Sequence, residues 1–330
     1  MGEVFAGRFE LLSPIADGGM GSVWQVRDLR DSQVYAGKLL RQSDSASLLR
    51  FMREQGTRIH HRHVVTPLSW AGEDDRVMFT MPLVRGGSVA TLLADHGRLP
   101  GHWVVELLSQ SLDALSAIHE QRLVHRDLKP ANLLLEATGN ARPVVRVTDF
   151  GLATSLDEPR LTRASIVLGT PGYMSPEQLR GADPDPSQDL FAIGRCGLEM
   201  LTRAKPEESV NAARRRAVEE PELAELVELL ITAASADPAR RPTTAQVLRN
   251  QLQVLPAIPS HGAEPFVRDQ LGGDAPLPTL AATPASPHPS GPREAGEPLV
   301  EKGNQSPASA YLLFVLAAVL AAGAVWLLLG

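Results

Sequence analysis

The chain has 330 residues, of which 43% are hydrophobic and 21% charged, so it is long enough for one large or two medium globular domains with a real core. Its formal net charge of −6 argues against a nucleic acid partner, because phosphate binding normally shows as a basic excess. The single cysteine, Cys196, excludes an internal disulfide, fits a reducing compartment and is expected to be a small buried residue.

The first hundred residues predict mainly β-strands. Short runs rich in β-branched and aromatic residues are separated by turn residues. The predicted strands cover residues 9–16, 22–28, 34–40, 65–70 and 76–83. Residues 46–59, between the third and fourth strands, predict a helix, which Gly56 weakens.

A glycine-rich turn joins the first two predicted strands. Gly18 and Gly21 carry no Cβ, so backbone N–H groups beside them can approach a phosphate closely. The sequence Val-Tyr-Ala-Gly-Lys follows, and Lys38 ends it. An ordinary hairpin turn is the alternative for the glycines alone, whereas a lysine on the next strand favours a phosphate-binding loop.

From residue 101 the pattern becomes helical. Apolar residues at spacings of three and four predict helices at 103–121, 187–202, 222–234 and 243–252. Thr243 is the expected N-cap of the last helix. A polar run precedes the third helix and contains Arg214, Arg215 and Arg216, which predict a solvated helix face, with attraction of acidic partners as the alternative.

Two polar motifs lie within this second half. His-Arg-Asp-Leu-Lys-Pro-Ala-Asn occupies residues 125–132, and Asp-Phe-Gly begins at Asp149, which is 22 residues after Asp127. Phosphoryl transfer from ATP needs oxygen ligands for Mg²⁺ and a carboxylate that orients the attacking hydroxyl. Both motifs supply such oxygens.

In this order the motifs resemble the eukaryotic-like protein kinases of the bacterial Ser/Thr group, over about residues 9–252. The resemblance implies an α+β, two-lobed protein kinase fold, with a β-rich N-lobe at about 9–84 and an α-helical C-lobe at about 85–252. ATP and Mg²⁺ would be the cofactors. The γ-phosphoryl group would pass to Ser and Thr hydroxyls of protein substrates, including the chain's own activation loop through a transient homodimer.

The resemblance also assigns roles in the reaction. Asp127 would accept the hydroxyl proton, and Lys129 would stand over the transferring phosphoryl group as a point charge. A lysine at this position resembles the Ser/Thr class of kinases. Asn132 and Asp149 would bind Mg²⁺ through a neutral and a charged oxygen, respectively.

Further positions are implied to hold the nucleotide. Lys38 would bridge the α- and β-phosphates and pair with Glu54 on the following helix, for which a solvated surface acid is the alternative. Ala16 replaces the family's first glycine, which implies a modest effect on ATP affinity. The remaining implied contacts are Ile15, Gly18, Gly21, Val23 and Ala36 in the N-lobe, and Met81 and Val84 in the hinge.

The segment from Asp149 to Glu177 resembles the family's activation segment. Arg126 provides a cation for a phosphate on this loop, with Thr162 as the first candidate phosphosite and Ser165 as the second. Thr170 is expected to contact the catalytic loop. Two structural contacts are implied as well, of Asp189 with the catalytic-loop backbone and of Arg241 with Glu177.

The C-terminal part changes character. Residues 253–309 contain eleven of the chain's 26 prolines, among Ala, Ser, Gly and Thr, and predict a disordered linker. Residues 311–330 carry no charge, and at about 1.5 Å per residue they are long enough for the ~30 Å hydrocarbon core of a bilayer. They predict one transmembrane helix, for which a buried core helix is the alternative.

The prediction is therefore a membrane-tethered signalling kinase without an N-terminal export signal. Since ATP is cytosolic, the kinase domain is expected to face the cytoplasm. A pseudokinase scaffold is one alternative, but only Ala16 and the short helix around Glu54 favour it. A small-molecule kinase such as an aminoglycoside phosphotransferase is the other, and it should lack the Gly-Thr-Pro-Gly-Tyr-Met-Ser-Pro-Glu sequence at 169–177.

Overall fold

An antiparallel sheet of six strands forms the N-terminal lobe, and its strands lie in chain order except that the last two exchange places. The computed structural model describes residues 3–18, 21–41, 59–74, 76–149, 154–155, 170–260 and 263–272. The strands of this sheet are β1 Val4–Phe5, β2 Phe9–Gly18, β3 Gly21–Asp28, β4 Val34–Arg41, β5 Ser69–Glu73 and β6 Arg76–Met81. Four of the five predicted strands are therefore found with small changes at their ends.

The prediction of a strand at 65–70 was wrong in its position. The observed strand β5 begins only at Ser69. Val65 instead donates its backbone N–H to the carbonyl of Val147 at 2.8 Å, and Val147 donates to His63 at 2.8 Å. The backbone at 63–65 is thus bonded to a strand of the other lobe, which links the two lobes.

The second lobe is mainly helical. Its helices are α1 Val89–His96, α2 Gly101–Glu120, α3 Pro176–Leu179, α4 Pro186–Thr202, α5 Pro206–Glu219, α6 Ala224–Ala233 and α7 Ala245–Gln253. Its short strands are β7 Leu123–Val124, β8 Leu133–Leu135, β9 Val145–Val147 and β10 Thr154–Ser155, which pair as β8 with β9 and β7 with β10. The predicted β-rich N-lobe and helical C-lobe are confirmed by this arrangement.

Helices α2 and α4 form the centre of the helical core. The face of α2 that carries Leu108, Leu112 and Leu115 is fully buried, as its apolar spacing predicts. Gly197 of α4 allows close approach, because a Cβ there would lie 2.8 Å from Cδ1 of Leu108. Cys196 is fully buried beside it, as predicted, and burial raises the pKa of its thiol.

Helix α5 lies in the polar run that was predicted to be a solvated face. For Arg216 that prediction was wrong, since its guanidinium is buried and donates to the carbonyls of Leu99, at 2.9 Å, and Leu201. Leu201 lies in the last turn of α4, where carbonyls have no partner within the helix. Glu220 accepts two further hydrogen bonds, at 3.1 and 3.0 Å, so the buried charge is paired.

The N-cap of the final helix lies one residue later than predicted, and the helix itself begins at Ala245. Thr244, not Thr243, is the N-cap of α7, because its hydroxyl accepts a hydrogen bond from the backbone N–H of Val247 at 3.1 Å. Helices α1 and α3 were not predicted, and α5 was predicted only as a helix face at Arg214, Arg215 and Arg216. The helix predicted at 46–59, except Ile59, and the transmembrane helix predicted at 311–330 lie outside the described residues.

The prediction of a disordered linker at 253–309 was wrong for the first part of this range. Residues 263–272, which we call the C-terminal strap, lie on the helical lobe, and Val267 is only 2% exposed there. Leu255 and Ile258 also pack against the helical core. These few apolar residues order a proline-rich stretch whose composition alone predicts disorder. Among the residues described here, no helix is both long and apolar enough to cross a membrane.

Candidate active site

The carboxylate of Asp127 lies in a dense set of donors and is only 7% exposed. Thr170 donates its hydroxyl to Oδ1 at 2.9 Å. Lys129 Nζ and Asn132 Nδ2 donate to Oδ2 at 3.0 and 3.1 Å. The expected contact between Thr170 and the catalytic loop is confirmed, and three predicted site residues converge on one carboxyl group.

Asp189 holds the backbone of this loop, as predicted. Its carboxylate is fully buried and accepts hydrogen bonds from the backbone N–H groups of His125 and Arg126, each at 2.9 Å. His119 Nε2 lies 2.8 Å from it. Burial alone would raise the pKa of Asp189, but the hydrogen bond and charge of His119 and the backbone donors lower it, so the group is ionised.

The anchoring matters because the loop contains a strained residue. Arg126 has a φ of 67°, in the left-handed region that costs a residue with a Cβ about 1 kcal/mol or more. The two donors to Asp189 and a hydrogen bond of 2.9 Å from Gln178 Nε2 to the Arg126 carbonyl fix this conformation. The loop shape that presents Asp127 is therefore imposed by its surroundings.

Lys38 and Asp149 join the two lobes. The Lys38 ammonium contacts the Asp149 carboxylate directly. Burial would raise the pKa of Asp149, but the charge and hydrogen bond of Lys38 lower it overall. Asp149 itself has a φ of 70°, which is a second strained residue at the site. Glu54 lies outside the described residues, so its pairing with Lys38 stays a prediction.

Asn132 and Asp149 are the residues that could hold a magnesium ion. The Asn132 amide nitrogen donates to the Asp127 carbonyl at 2.7 Å, which leaves its amide oxygen as the group for a cation. The backbone carbonyl of Asn132 accepts from Thr148, next to Asp149, at 3.0 Å. One carboxylate and one amide oxygen suit Mg²⁺, which takes few protein ligands and completes its shell with phosphates and water.

The glycine-rich turn lies where the sequence predicted it, at the end of the β2–β3 hairpin, in which Gly18 pairs with Gly21. Gly21 has a φ of 138°, and a Cβ there would lie 2.1 Å from the Leu39 carbonyl oxygen, so only glycine fits. Ala16 pairs with Val23, directly after a register shift between Pro14 and Ala16, and its φ is below zero. The methyl group of Ala16 therefore adds no backbone strain.

The other implied nucleotide contacts lie on adjacent strands of the same sheet. Ile15 is in β2, Val23 in β3 and Ala36 in β4, and Ala36 pairs with Met81 at the end of β6. Val84 follows in the segment that connects the sheet to α1. The predicted hinge is thus the connection between the lobes.

The described part of the activation segment is its C-terminal end. Arg241 donates to both carboxylate oxygens of Glu177, at 2.6 and 2.9 Å, as predicted. Thr162 and Ser165 lie outside the described residues, so both phosphosites stay predictions. A partly buried contact between the Tyr173 hydroxyl and the Glu199 carboxylate was not predicted. Burial raises the pKa of Glu199.

Two side-chain contacts near the site were not predicted, because their partners are distant in the chain. His119 beside Asp189 and Glu199 beside Tyr173 are separated from their partners by 70 and 26 residues. Each looks like an ordinary polar residue of an amphipathic helix.

Comparison with known proteins agrees with this geometry. Residues 9–253 match the family model described as the protein kinase domain. The chain is 35% identical over 279 residues to the serine/threonine-protein kinase pkn3 of Myxococcus xanthus, which covers 77% of this chain and 51% of that protein. It is 32% identical over 263 residues to the serine/threonine-protein kinase PrkC of Bacillus subtilis, covering 74% of this chain and 40% of that protein.

A third relative is the PknA protein of Corynebacterium glutamicum, named a serine/threonine-protein kinase, with 33% identity over 258 residues. That match covers 72% of this chain and 54% of the relative, so the chain spans about half the length of the curated relatives it matches. The family model matches well over half of the chain, from the first long strand to the last helix. The chain therefore belongs to the protein kinase family.

Proposed function

We propose that this chain is a Ser/Thr protein kinase that transfers the γ-phosphoryl group of ATP to Ser and Thr hydroxyls of proteins. The observation that carries the proposal is the cluster on Asp127, where Lys129, Asn132 and Thr170 fix both carboxylate oxygens. The relatives named as serine/threonine-protein kinases support the same substrate class.

Asp127 is the proton acceptor in this proposal. Each carboxylate oxygen offers two acceptor sites, and the described contacts occupy one site of Oδ1, through Thr170, and both of Oδ2. One site of Oδ1 is therefore available for a substrate hydroxyl. As the hydroxyl oxygen attacks the γ-phosphorus, its proton passes to Asp127 and the bond to the β-phosphate oxygen breaks, which releases ADP.

Three other side chains bind and orient the reactants. Lys129 lies between Asp127 and Thr170, 3.0 and 2.7 Å from their oxygens, where its charge can stabilise the transferring phosphoryl group. Asn132 and Asp149 would hold Mg²⁺, whose bound charge neutralises the phosphates. In this proposal Lys38, which contacts Asp149, moves onto the α- and β-phosphates when ATP enters.

The test uses the full chain, ATP labelled at the γ-phosphate, Mg²⁺ and a general protein substrate. We expect label on protein Ser and Thr, and its loss in Asp149→Ala or after chelation of the metal. If the wild type binds ATP but label appears neither on the chain itself nor on the protein substrate, the result would instead support the pseudokinase scaffold.

We also propose that the activation loop is phosphorylated by a second copy of the chain, with Thr162 as the first candidate site and Ser165 as the second. The support is the position of Arg126 directly before Asp127, where a guanidinium can bind a phosphate on this loop. Mass spectrometry of the wild-type chain after incubation with ATP should find phosphate at Thr162. An unmodified loop in an active preparation would refute this part.

The membrane anchor is a separate proposal. Residues 311–330 carry no charge, and we propose that they span the bilayer once with the kinase on the cytoplasmic side. With the strap folded, the linker would cover residues 273–309 and span roughly 33 Å as a flexible coil. Fractionation should find the full chain with membranes and a chain that ends at residue 309 in the soluble fraction. Equal solubility of both chains would refute the anchor.

A further inference from the structure

The C-terminal strap is attached to the helical lobe along its length. At its start, the Glu264 carboxylate accepts a hydrogen bond from the indole N–H of Trp103 at 2.6 Å. In its middle, Val267 and Gly139 exchange two backbone hydrogen bonds of 2.9 Å. The strap therefore has a fixed register on the lobe, although it lies beyond the region that the family model matches, which ends at residue 253.

The last part of the strap binds the residue that follows the hinge. The guanidinium of Arg85 donates from Nε and Nη2 to Oδ2 of Asp269, each at 2.8 Å. The backbone N–H of Gln270 donates to the Arg85 carbonyl at 2.8 Å. Both the side chain and the backbone of Arg85 are thus held by the strap, and the Arg85 side chain is only 13% exposed.

The residues that follow Arg85 are hydrogen-bonded to strand β8 of the helical lobe. Gly86 donates to the Leu135 carbonyl at 2.7 Å, and Leu135 donates to the Gly87 carbonyl at 2.9 Å. The Gln270 side chain packs on Gly87, where a Cβ would lie 3.0 Å from its Cγ. The hinge exit at residues 85–87 is therefore enclosed between strand β8 and the strap.

We infer that the strap is a positioning element of the nucleotide site, with Asp269 acting through Arg85. The inference rests on the proposed function, in which Met81 and Val84 contact the adenine. Arg85 directly follows Val84, so a displacement of Arg85 changes the backbone groups that bind the adenine. Release of Asp269 should therefore weaken ATP binding without changing the reacting groups, which lie on other segments.

The test compares two substitutions in the full chain. Asp269→Asn removes the charge that holds Arg85, whereas the control Arg268→Ala removes an exposed strap residue that contacts Asp95 at 3.3 Å. We expect Asp269→Asn to raise the Kd for ATP about fivefold, with a matching rise in the KM for ATP. The kcat and the KM for the protein substrate should stay unchanged, and Arg268→Ala should match the wild type throughout.

A double-mutant cycle separates this role from general stabilisation. Arg85→Gln should raise the Kd for ATP as much as Asp269→Asn, and the double substitution should raise it no further. If Asp269→Asn does not fold, Arg85→Lys replaces it in the test. This variant keeps the positive charge but has one donor nitrogen in place of the two that contact Asp269. An unchanged Kd for ATP in folded Asp269→Asn, or independent effects in the cycle, would overturn the inference.

Binding and transfer are measured separately, so the two proposals fail in different ways. A wild-type chain that binds ATP but transfers no phosphate would contradict the kinase proposal, and the binding titration would still decide the role of Asp269. Normal transfer together with an Asp269→Asn affinity equal to that of the wild type would contradict the strap alone.

Discussion

The Asp127 carboxylate and the backbone of its loop are paired with partners that orient them. Asp189 is the most important of these partners, because it satisfies two backbone N–H groups of the catalytic loop at once. A buried carboxylate that accepts charge-assisted hydrogen bonds is costly to replace, since its donors then remain without a partner. The shape of the loop thus depends on a residue far outside it.

Replacement of Asp189 by Asn should damage both stability and turnover. The Asn amide offers only one acceptor oxygen, so one backbone N–H of the loop loses its partner. We expect a loss of about 2–4 kcal/mol in the free energy of unfolding, measured by denaturant titration, together with a lower kcat. An Asn variant as stable and as active as the wild type would show that the loop does not need this charge.

Asp189 should also contribute to the acid sensitivity of the fold. Its pKa is lowered in the folded state from an ordinary value of 3.8, so the native state favours the ionised form. The stability that it provides is therefore complete above that value and is lost as the pH falls through the lower, folded-state pKa. Between pH 5 and pH 2, the unfolding free energy of Asp189→Asn should fall less steeply than that of the wild type.

At the scale of elements, residues 206–219 show how a polar sequence can form a buried helix. Helix α5 has few large apolar residues, and its inward face relies on Ala213 and the guanidinium of Arg216. That guanidinium satisfies the carbonyls of Leu99 and Leu201, which would otherwise be buried without donors. A buried arginine therefore attaches this helix to the core, as an apolar stripe does in other helices.

Arg216 and its neighbour Arg215 offer a matched pair of substitutions. Arg216→Ala should lower the free energy of unfolding by about 2–4 kcal/mol, because it leaves two buried carbonyls without this donor and removes two hydrogen bonds to Glu220. Replacement of the exposed Arg215 by Ala should change the free energy of unfolding by less than about 0.5 kcal/mol. Equal effects in thermal or denaturant unfolding would contradict the buried role of Arg216.

The sequence predicted elements well where local pattern and tertiary packing agree. The composition of β3 and the apolar spacing of α2 are each visible within one segment, and both elements are found. The strand at 65–70 was misplaced because Val65 bonds to Val147 of the other lobe. The bounds of helix α5 and the burial of Arg216 were not predicted, because the inward face of this helix is polar. Neither the partner strand nor the buried carbonyls can be read from the segment itself.

The candidate site shows the same difference between residues that are close in the chain and residues that are distant in it. Asp127, Lys129 and Asn132 are close in the chain, so one motif predicted three members of the site. Lys38 and Asp149 depended on motif order and the resemblance, and the structure brings them into contact. The strap was predicted as linker because only Pro265 and Val267 in it are buried, and its contact with Arg85 uses a charge pair that composition does not reveal.

For the molecule as a whole, the folded strap changes where the kinase domain ends. The family model ends at residue 253, whereas ordered contacts continue to Gln270 beside the hinge. In the proposed membrane-tethered kinase, the linker would therefore leave the domain next to the nucleotide site. Experiments on the kinase domain should accordingly retain the chain through residue 272.

The central claim is that Asp127 accepts the proton during transfer of phosphate to protein hydroxyls, and one measurement tests it most directly. ATP affinity and the rate of label transfer are compared for the wild type and Asp127→Asn, both as full chains. We predict that the variant binds ATP within about a factor of two of the wild type, while transfer falls by about 10²–10⁴-fold. Transfer by Asp127→Asn at a rate close to that of the wild type would contradict the account.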